Sequence, residues 1–154
     1  MYPDENSPTD GSMASHGLER PLCVALVLCD MVIEDKRTNN KTLVGLFSGI
    51  VTPQVPAVHP RMFLLASLTS GRGEWPFTVR IASPSGREML RMHDVARFPD
   101  PLAVHDLVIE LRNLPLAEAG VHFVDLLLGD FPVAHRRFTV QVGAEEPPAH
   151  EMSG

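Results

Sequence analysis

The sequence predicts an all-β fold, a sandwich of about eight strands. Three observations carry this. Apolar residues alternate with polar ones at period two, as in "EWPFTVRIAS" and "FTVQV". Turn formers recur at short intervals. The chain holds 14 prolines, most of them between apolar runs, where they disfavour long helices.

Taken in order, "LCDMVIE" and "TLVGLFSGI" are strand-like runs around a polar connection, and "VGLFSGIVT" and "MFLLASLTS" are further strand candidates. The glycines of "SGRGE" (70–74) suit a hairpin. In 74–83, Trp75, Phe77, Val79 and Ile81 share one face, with Glu74, Thr78 and Arg80 on the other. "SPSG" (83–86) places Pro84 and Gly86 where a type I turn favours them, and "REMLRMHDV" follows as a strand. Segment 100–114 has two readings. Asp100 and Pro101 could open a helix with Val104, Leu107, Leu111 and Leu114 as its stripe. The β-branched Val104, Val108 and Ile109 favour a strand instead, with Leu107, Ile109 and Leu111 on one face, and strand is chosen. In "GVHFVDLLLG", Asp125 should face water, which turns His122, Val124, Leu126 and Leu128 inward. "LGDFP" (128–132) suits a tight loop, after which Phe138, Val140 and Val142 should point inward.

A chain of 154 residues with 44% hydrophobic and 21% charged residues supports one core without metals or disulfides. The expected organisation is a disordered tail over 1–20, a β-sandwich over 21–142 and a second disordered tail over 143–154. A net charge of −6 with no basic stripe argues against nucleic acid. Nothing approaches the roughly 20 apolar residues of a membrane helix. Acidic residues precede "PLCVALVLCDMV" and Asp30 interrupts it, so it does not fit a signal peptide. Cys23 and Cys29 on one strand lie roughly 20 Å apart, too far for a disulfide. Two free thiols, with Cys29 a buried apolar residue rather than a nucleophile, agree with a cytoplasmic location.

Residues 29–47, "CDMVIEDKRTNNKTLVGLF", hold the densest polar run. Asp35 and Thr38 can bond their own main chain and tie a turn. No histidine is near in sequence to act as a base. The pattern Cys29, Asp30, Ile33, Asp35, Thr38, Asn39, Lys41, Leu43, Gly45 and Phe47 resembles a family of small bacterial proteins known only as a domain of unknown function. The resemblance continues through "HPRMFLLASLTSGRGEW" and "GVHFVDLLL" and so covers most of 22–142. It implies an immunoglobulin-type sandwich and brings no catalytic residue. His122 stands where that pattern tends to have tyrosine, which removes the hydroxyl a tyrosine corner needs.

The core histidines His59, His93, His105, His122 and His135 show no paired ligand spacing. His93-Asp94 and His105-Asp106 would point to opposite faces of a strand, so neither pair can share a metal. No metal or cofactor is expected. The function expected is a non-enzymatic interaction module with a protein partner, using Asp30, Asp35, Thr38, Asn39 and Lys41 as contact surface; neither nucleic acid nor membrane is a partner, and homo-oligomerisation is left open. The alternatives are a small-ligand or sugar-binding sandwich, disfavoured because Trp75 and Tyr2 are the sole Trp and Tyr, and a metal-dependent enzyme with strand-borne histidines.

Overall fold

A computed structural model describes residues 20–143, and the two expected tails lie almost wholly outside them. Nine strands follow one another: β1 (Leu22–Glu34), β2 (Lys41–Leu46), β3 (Gly49–Thr52), β4 (Ala57–Thr69), β5 (Gly73–Ala82), β6 (Glu88–Phe98), β7 (Val104–Leu116), β8 (Gly120–Leu128) and β9 (Phe131–Val142). They form a four-stranded sheet in the order β2-β1-β4-β7 and a five-stranded sheet in the order β3-β9-β8-β5-β6. The strands pair antiparallel, except for β3, which runs parallel to β9. This is the β-sandwich that the alternation predicts, in the immunoglobulin-like form that the resemblance implies.

The core lies between the sheets. Leu26 and Leu28 of β1, Met62, Leu64, Ala66 and Leu68 of β4, and Ile109 and Leu111 of β7 face Phe77, Val79 and Ile81 of β5 and the apolar residues of β8 and β9. Val124, Leu126, Leu128 and His122 are all buried, as the register set by Asp125 requires. Phe138 and Val140 point inward too. Val142 does not. It is 46% exposed, because it ends β9 beside the last residue of β3, past the cover of the facing sheet.

Two turns differ from expectation. Residues 70–74 are a crossover between sheets and not a hairpin. Both edges of β4 are already occupied by β1 and β7, so the chain after Thr69 must leave the sheet. Ser70 and Gly73 take positive φ there, and Gly71 packs against Pro21 and Phe98 with no room for a Cβ. The candidate strand "VGLFSGIVT" is likewise two strands in different sheets, switching at Phe47 and Ser48. Phe47 N donates to Leu28 O at 3.0 Å, while Ser48 O accepts from Thr139 N at 3.0 Å, so adjacent residues serve opposite sheets.

The ambiguous segment is a strand from Val104 onward. Asp100 caps a turn and not a helix: its Oδ1 accepts from Leu102 N at 2.9 Å and its carbonyl from Ala103 N at 3.1 Å. "SPSG" closes the β5–β6 hairpin through Gly86 N to Ser83 O at 2.8 Å. No helix among the described residues is long and apolar enough to cross a membrane.

Candidate functional site

The hairpin of β1 and β2 accounts for most of the polar run at 29–47. Asp35 Oδ1 accepts from Arg37 N at 2.8 Å and from Thr38 N at 3.4 Å. Thr38 Oγ1 accepts from Asn40 N at 3.2 Å. Asn39 sits at φ 63, a conformation asparagine tolerates well, and its N–H donates to Asp35 O at 2.7 Å. These residues therefore hold one another in a turn. Each local bond is worth about 1 kcal/mol net. We expect Asp35→Ala and Thr38→Ala each to cost about that much in a denaturant melt; melts matching the parent would contradict the turn-tying role.

Lys41 departs from expectation. It pairs with Glu34 directly opposite at 3.3 Å, and its side chain is only 19% exposed. Its position shares the side of the sheet with Leu43, turned toward the other sheet, so it is not part of an outward contact surface.

Asp30 is exposed and lies opposite Gly45. Gly45 has φ 70, and a Cβ there would collide with the Asp30 carboxylate. Beyond Asn113, whose φ is 54, β7 turns over, so that buried Leu114 and its partner His59 face inward. Phe47 and His59 are 6.2 Å apart between ring centroids. Burial holds the His59 imidazole below its usual range, and the Asp30 charge partly opposes this. The unfolded chain therefore takes up a proton first. Stability should fall as pH drops below the ordinary histidine value near 6.5. Asp125 adds to this at lower pH: burial alone would raise its carboxyl, but hydrogen bonds and charge from His135 and Arg80 hold it low. Its stabilisation is lost as pH falls below the ordinary aspartate range. Melts at pH 7 and pH 5 check the first step: the parent should lose stability, and His59→Ala should show a shallower slope.

The remaining histidines occupy separate places. His93 Nδ1 lies 2.9 Å from Thr78 Oγ1. His105 packs edge-on against Phe98 at 5.3 Å. His122 is fully buried and stacks on Phe138 at 5.0 Å. Its Nδ1 is 3.0 Å from Gly120 O, and a carbonyl only accepts, so Nδ1 carries the proton. The imidazole thus makes a backbone hydrogen bond of its own at this position, where no tyrosine hydroxyl is present. Among the described residues, no group of three or more His, Cys, Asp or Glu is arranged to hold a metal ion.

The outer surface of the five-stranded sheet carries a polar cluster around a cavity of about 300 Å³. Asp125 accepts from Arg80 Nη2 at 2.9 Å and from His135 Nδ1 at 2.7 Å, and Phe123 stacks on His135. Glu88 and Arg91 pair through two bonds of 2.9 and 2.7 Å. Asp125 pairs with Arg80 and His135 across neighbouring strands, while Glu88 and Arg91 pair within β6.

The outer face of the four-stranded sheet is different. The register sets Val27, Cys29, Met31 and Ile33 of β1 beside Val44 and Leu46 of β2 and Phe63 and Leu65 of β4. Exposures are 43% for Met31, 50% for Ile33, 43% for Val44 and 60% for Leu46. Val108 of β7, beside Leu65, is 38% exposed. The exposed apolar residues gather into a ribbon on β1 and β2; beside it Phe63 and Leu65 of β4 are only 8% exposed, Arg61 stacks on Phe63, and Asp106, Glu110 and Arg112 lie at the β7 side. Contiguous exposed apolar residues of this kind are uncommon on the surface of soluble domains. The sequence did carry a signal for it. "PLCVALVLC" and "MFLLA" are apolar at consecutive positions, which gives a strand two apolar faces instead of one.

Cys29 lies within this ribbon, and Phe63 and Leu46 shield it completely. Both cysteines are free. Burial pushes both thiols up, and the neighbouring Asp30 charge raises Cys29 further. Thiol counting should find two per chain in denaturant and slow reaction of Cys29 in the native protein; rapid native alkylation at Cys29 would contradict this.

No curated protein matches this sequence. Among solved structures, an immunoglobulin-like protein from Pseudomonas aeruginosa is similar at 16% identity and TM-score 0.46, over 79% of this chain and 97% of that one. An alkylpurine DNA glycosylase from Pseudomonas fluorescens is similar at 14% identity and TM-score 0.41, over 62% of this chain and 28% of that chain. A β-glucosidase from Listeria innocua in complex with glucose is similar at 9% identity and TM-score 0.45, over 82% of this chain and 16% of that chain. This chain thus spans a minor part of either enzyme, and the likeness concerns the fold alone. The model of the family of unknown function DUF6941 matches residues 24–141, from the first strand to the last, and the chain belongs to that family.

Proposed function

We propose that the domain is a non-enzymatic interaction module whose contact surface is the outer face of the β2-β1-β4-β7 sheet. The observation that carries this is the apolar ribbon of Met31, Ile33, Val44 and Leu46, unpaired with any described element. The β1–β2 hairpin, with Asp35, Thr38 and Asn39, stands beside the ribbon and would contribute its rim; Asp30 and Lys41 belong to the opposite side of the sheet. A protein partner fits an apolar, nearly flat face better than a sugar does. Trp75, the one indole, packs against the core and donates its Nε1–H to Arg72 O at 3.1 Å, so it offers no stacking platform. Free cysteines agree with a cytoplasmic setting.

The test is capture from the native host with three baits: parent, Val44→Lys and Thr78→Lys, the last on the other sheet. Capture lost with Val44→Lys and kept with Thr78→Lys supports the face as contact surface. Equal capture by all three would contradict it.

A further inference from the structure

We propose that the open cavity on the outer surface of the five-stranded sheet is a binding site for a small organic monocarboxylate with a flat apolar body. The cavity lies on the sheet opposite to the contact surface proposed above and stands independently of it.

Two rows across the sheet build the site. In one, Arg137 of β9, Phe123 of β8, Ala82 of β5 and Glu88 of β6 follow one another. In the next, His135, Asp125, Arg80 and Arg91 do the same. Neighbours in such a row stand about 4.5–5.5 Å apart at Cβ. The small Ala82 leaves a gap beside Phe123, and at Gly86 in the β5–β6 turn nothing occupies the space a side chain would enter. The resulting cavity of about 300 Å³ has Phe123, Ala82 and Gly86 as its apolar part. That volume is at the low end for small-molecule sites, so the ligand is small. The Phe123 ring, stacked on His135 at 5.7 Å, offers an aromatic surface to a flat body.

The polar rim selects the charge. Asp125 takes Nη2 of Arg80 and Nδ1 of His135, so Arg80 Nη1 and His135 Nε2 are left for a ligand. The Nε–H of Arg80 is buried without a partner among the described residues. A donor left in this way is uncommon in a native fold, and an entering carboxylate brings acceptors to the same guanidinium. Arg91 is held by Glu88 through two bonds. Arg137 is exposed and makes no ion pair among the described residues. In these two rows three arginines thus meet two carboxylates, and one positive charge stays uncompensated on a chain whose total is −6. A single carboxylate balances it. Inorganic phosphate carries up to two charges and has nothing to lay on the apolar part.

Titration of the full chain with sodium benzoate, read by backbone amide chemical shifts, tests this. Saturable shifts should gather at Ala82, Phe123, Asp125 and His135, with half-saturation on the order of 1 mM, as befits so small a ligand. Benzamide, of the same shape without the charge, should bind at least about tenfold more weakly. Arg137→Gln should weaken benzoate at least about threefold. Glu88→Gln removes a competing carboxylate and releases Arg91, so it should tighten benzoate by about the same factor. Arg97→Gln, whose partner is Glu74 at the far end of β5, should leave binding unchanged. Circular dichroism melts confirm that each variant folds, and opposite effects at two exposed positions do not arise from a damaged fold. The absence of saturable shifts up to about 10 mM overturns the site. Benzamide binding as tightly as benzoate, or indifference to both Arg137→Gln and Glu88→Gln, overturns the charge selection. Inorganic phosphate binding more tightly than benzoate on the same residues overturns the monocarboxylate as ligand.

Discussion

Phe138→Ala should lower the free energy of unfolding by about 3–5 kcal/mol, the usual cost of emptying a buried phenylalanine site. Phe138 is fully buried where β8 and β9 meet the opposite sheet, among the largest side chains of the core. Its ring lies nearly parallel to His122, at an interplanar angle of 18°, so the loss includes an aromatic contact worth roughly 0.5–1.5 kcal/mol. The void cannot close easily, because the pairing of β8 with both β5 and β9 fixes the backbone around it. For a domain stable by about 5–15 kcal/mol, the variant should melt at a markedly lower urea concentration. A loss below about 2 kcal/mol would mean that this site repacks and that the ring is not central to the core.

Gly45→Ala should cost about 2–3 kcal/mol, although the residue is exposed. Two effects add. An alanine at φ 70 is strained by about 1 kcal/mol or more. Its Cβ would also strike the Asp30 carboxylate across the β1–β2 pair, forcing the side chain or strand to shift. The two effects can be separated. Adding Asp30→Gly to Gly45→Ala removes the collision and leaves the backbone strain, so the double variant should recover part of the loss. If Gly45→Ala melts like the parent, the close approach of Asp30 to this glycine has no energetic weight.

These two positions show what the sequence made legible. The alternation around Asp125 was enough to turn His122, Val124, Leu126 and Leu128 inward, because one charged residue in a period-two run leaves a single register with the acid in water. The turn at 35–40 was legible because Asp, Thr and Asn act on their own main chain. Non-local facts were not. Nothing within 70–74 tells that β4 has no free edge, which alone makes that turn a crossover. Nothing beside Lys41 tells which side of the sheet it takes; that follows from the register opposite Glu34. The apolar ribbon escaped for another reason. It is made of Met31, Ile33, Val44 and Leu46, residue types that ordinarily belong to a core.

The 29–47 stretch is thus architecture beside the apolar face proposed above as a contact surface. Its polar residues fold the hairpin, and Met31, Ile33, Val44 and Leu46 face outward. Hydrogen exchange of the backbone amides, with the contact surface free and occupied, tests this most directly. Occupancy is set by adding the captured partner. The account predicts added protection confined to β1, β2 and β4 around Met31, Val44 and Phe63, with none around Arg80, His93 and His135 on the other sheet. Protection appearing on the five-stranded sheet and absent from β1 and β2 would contradict it.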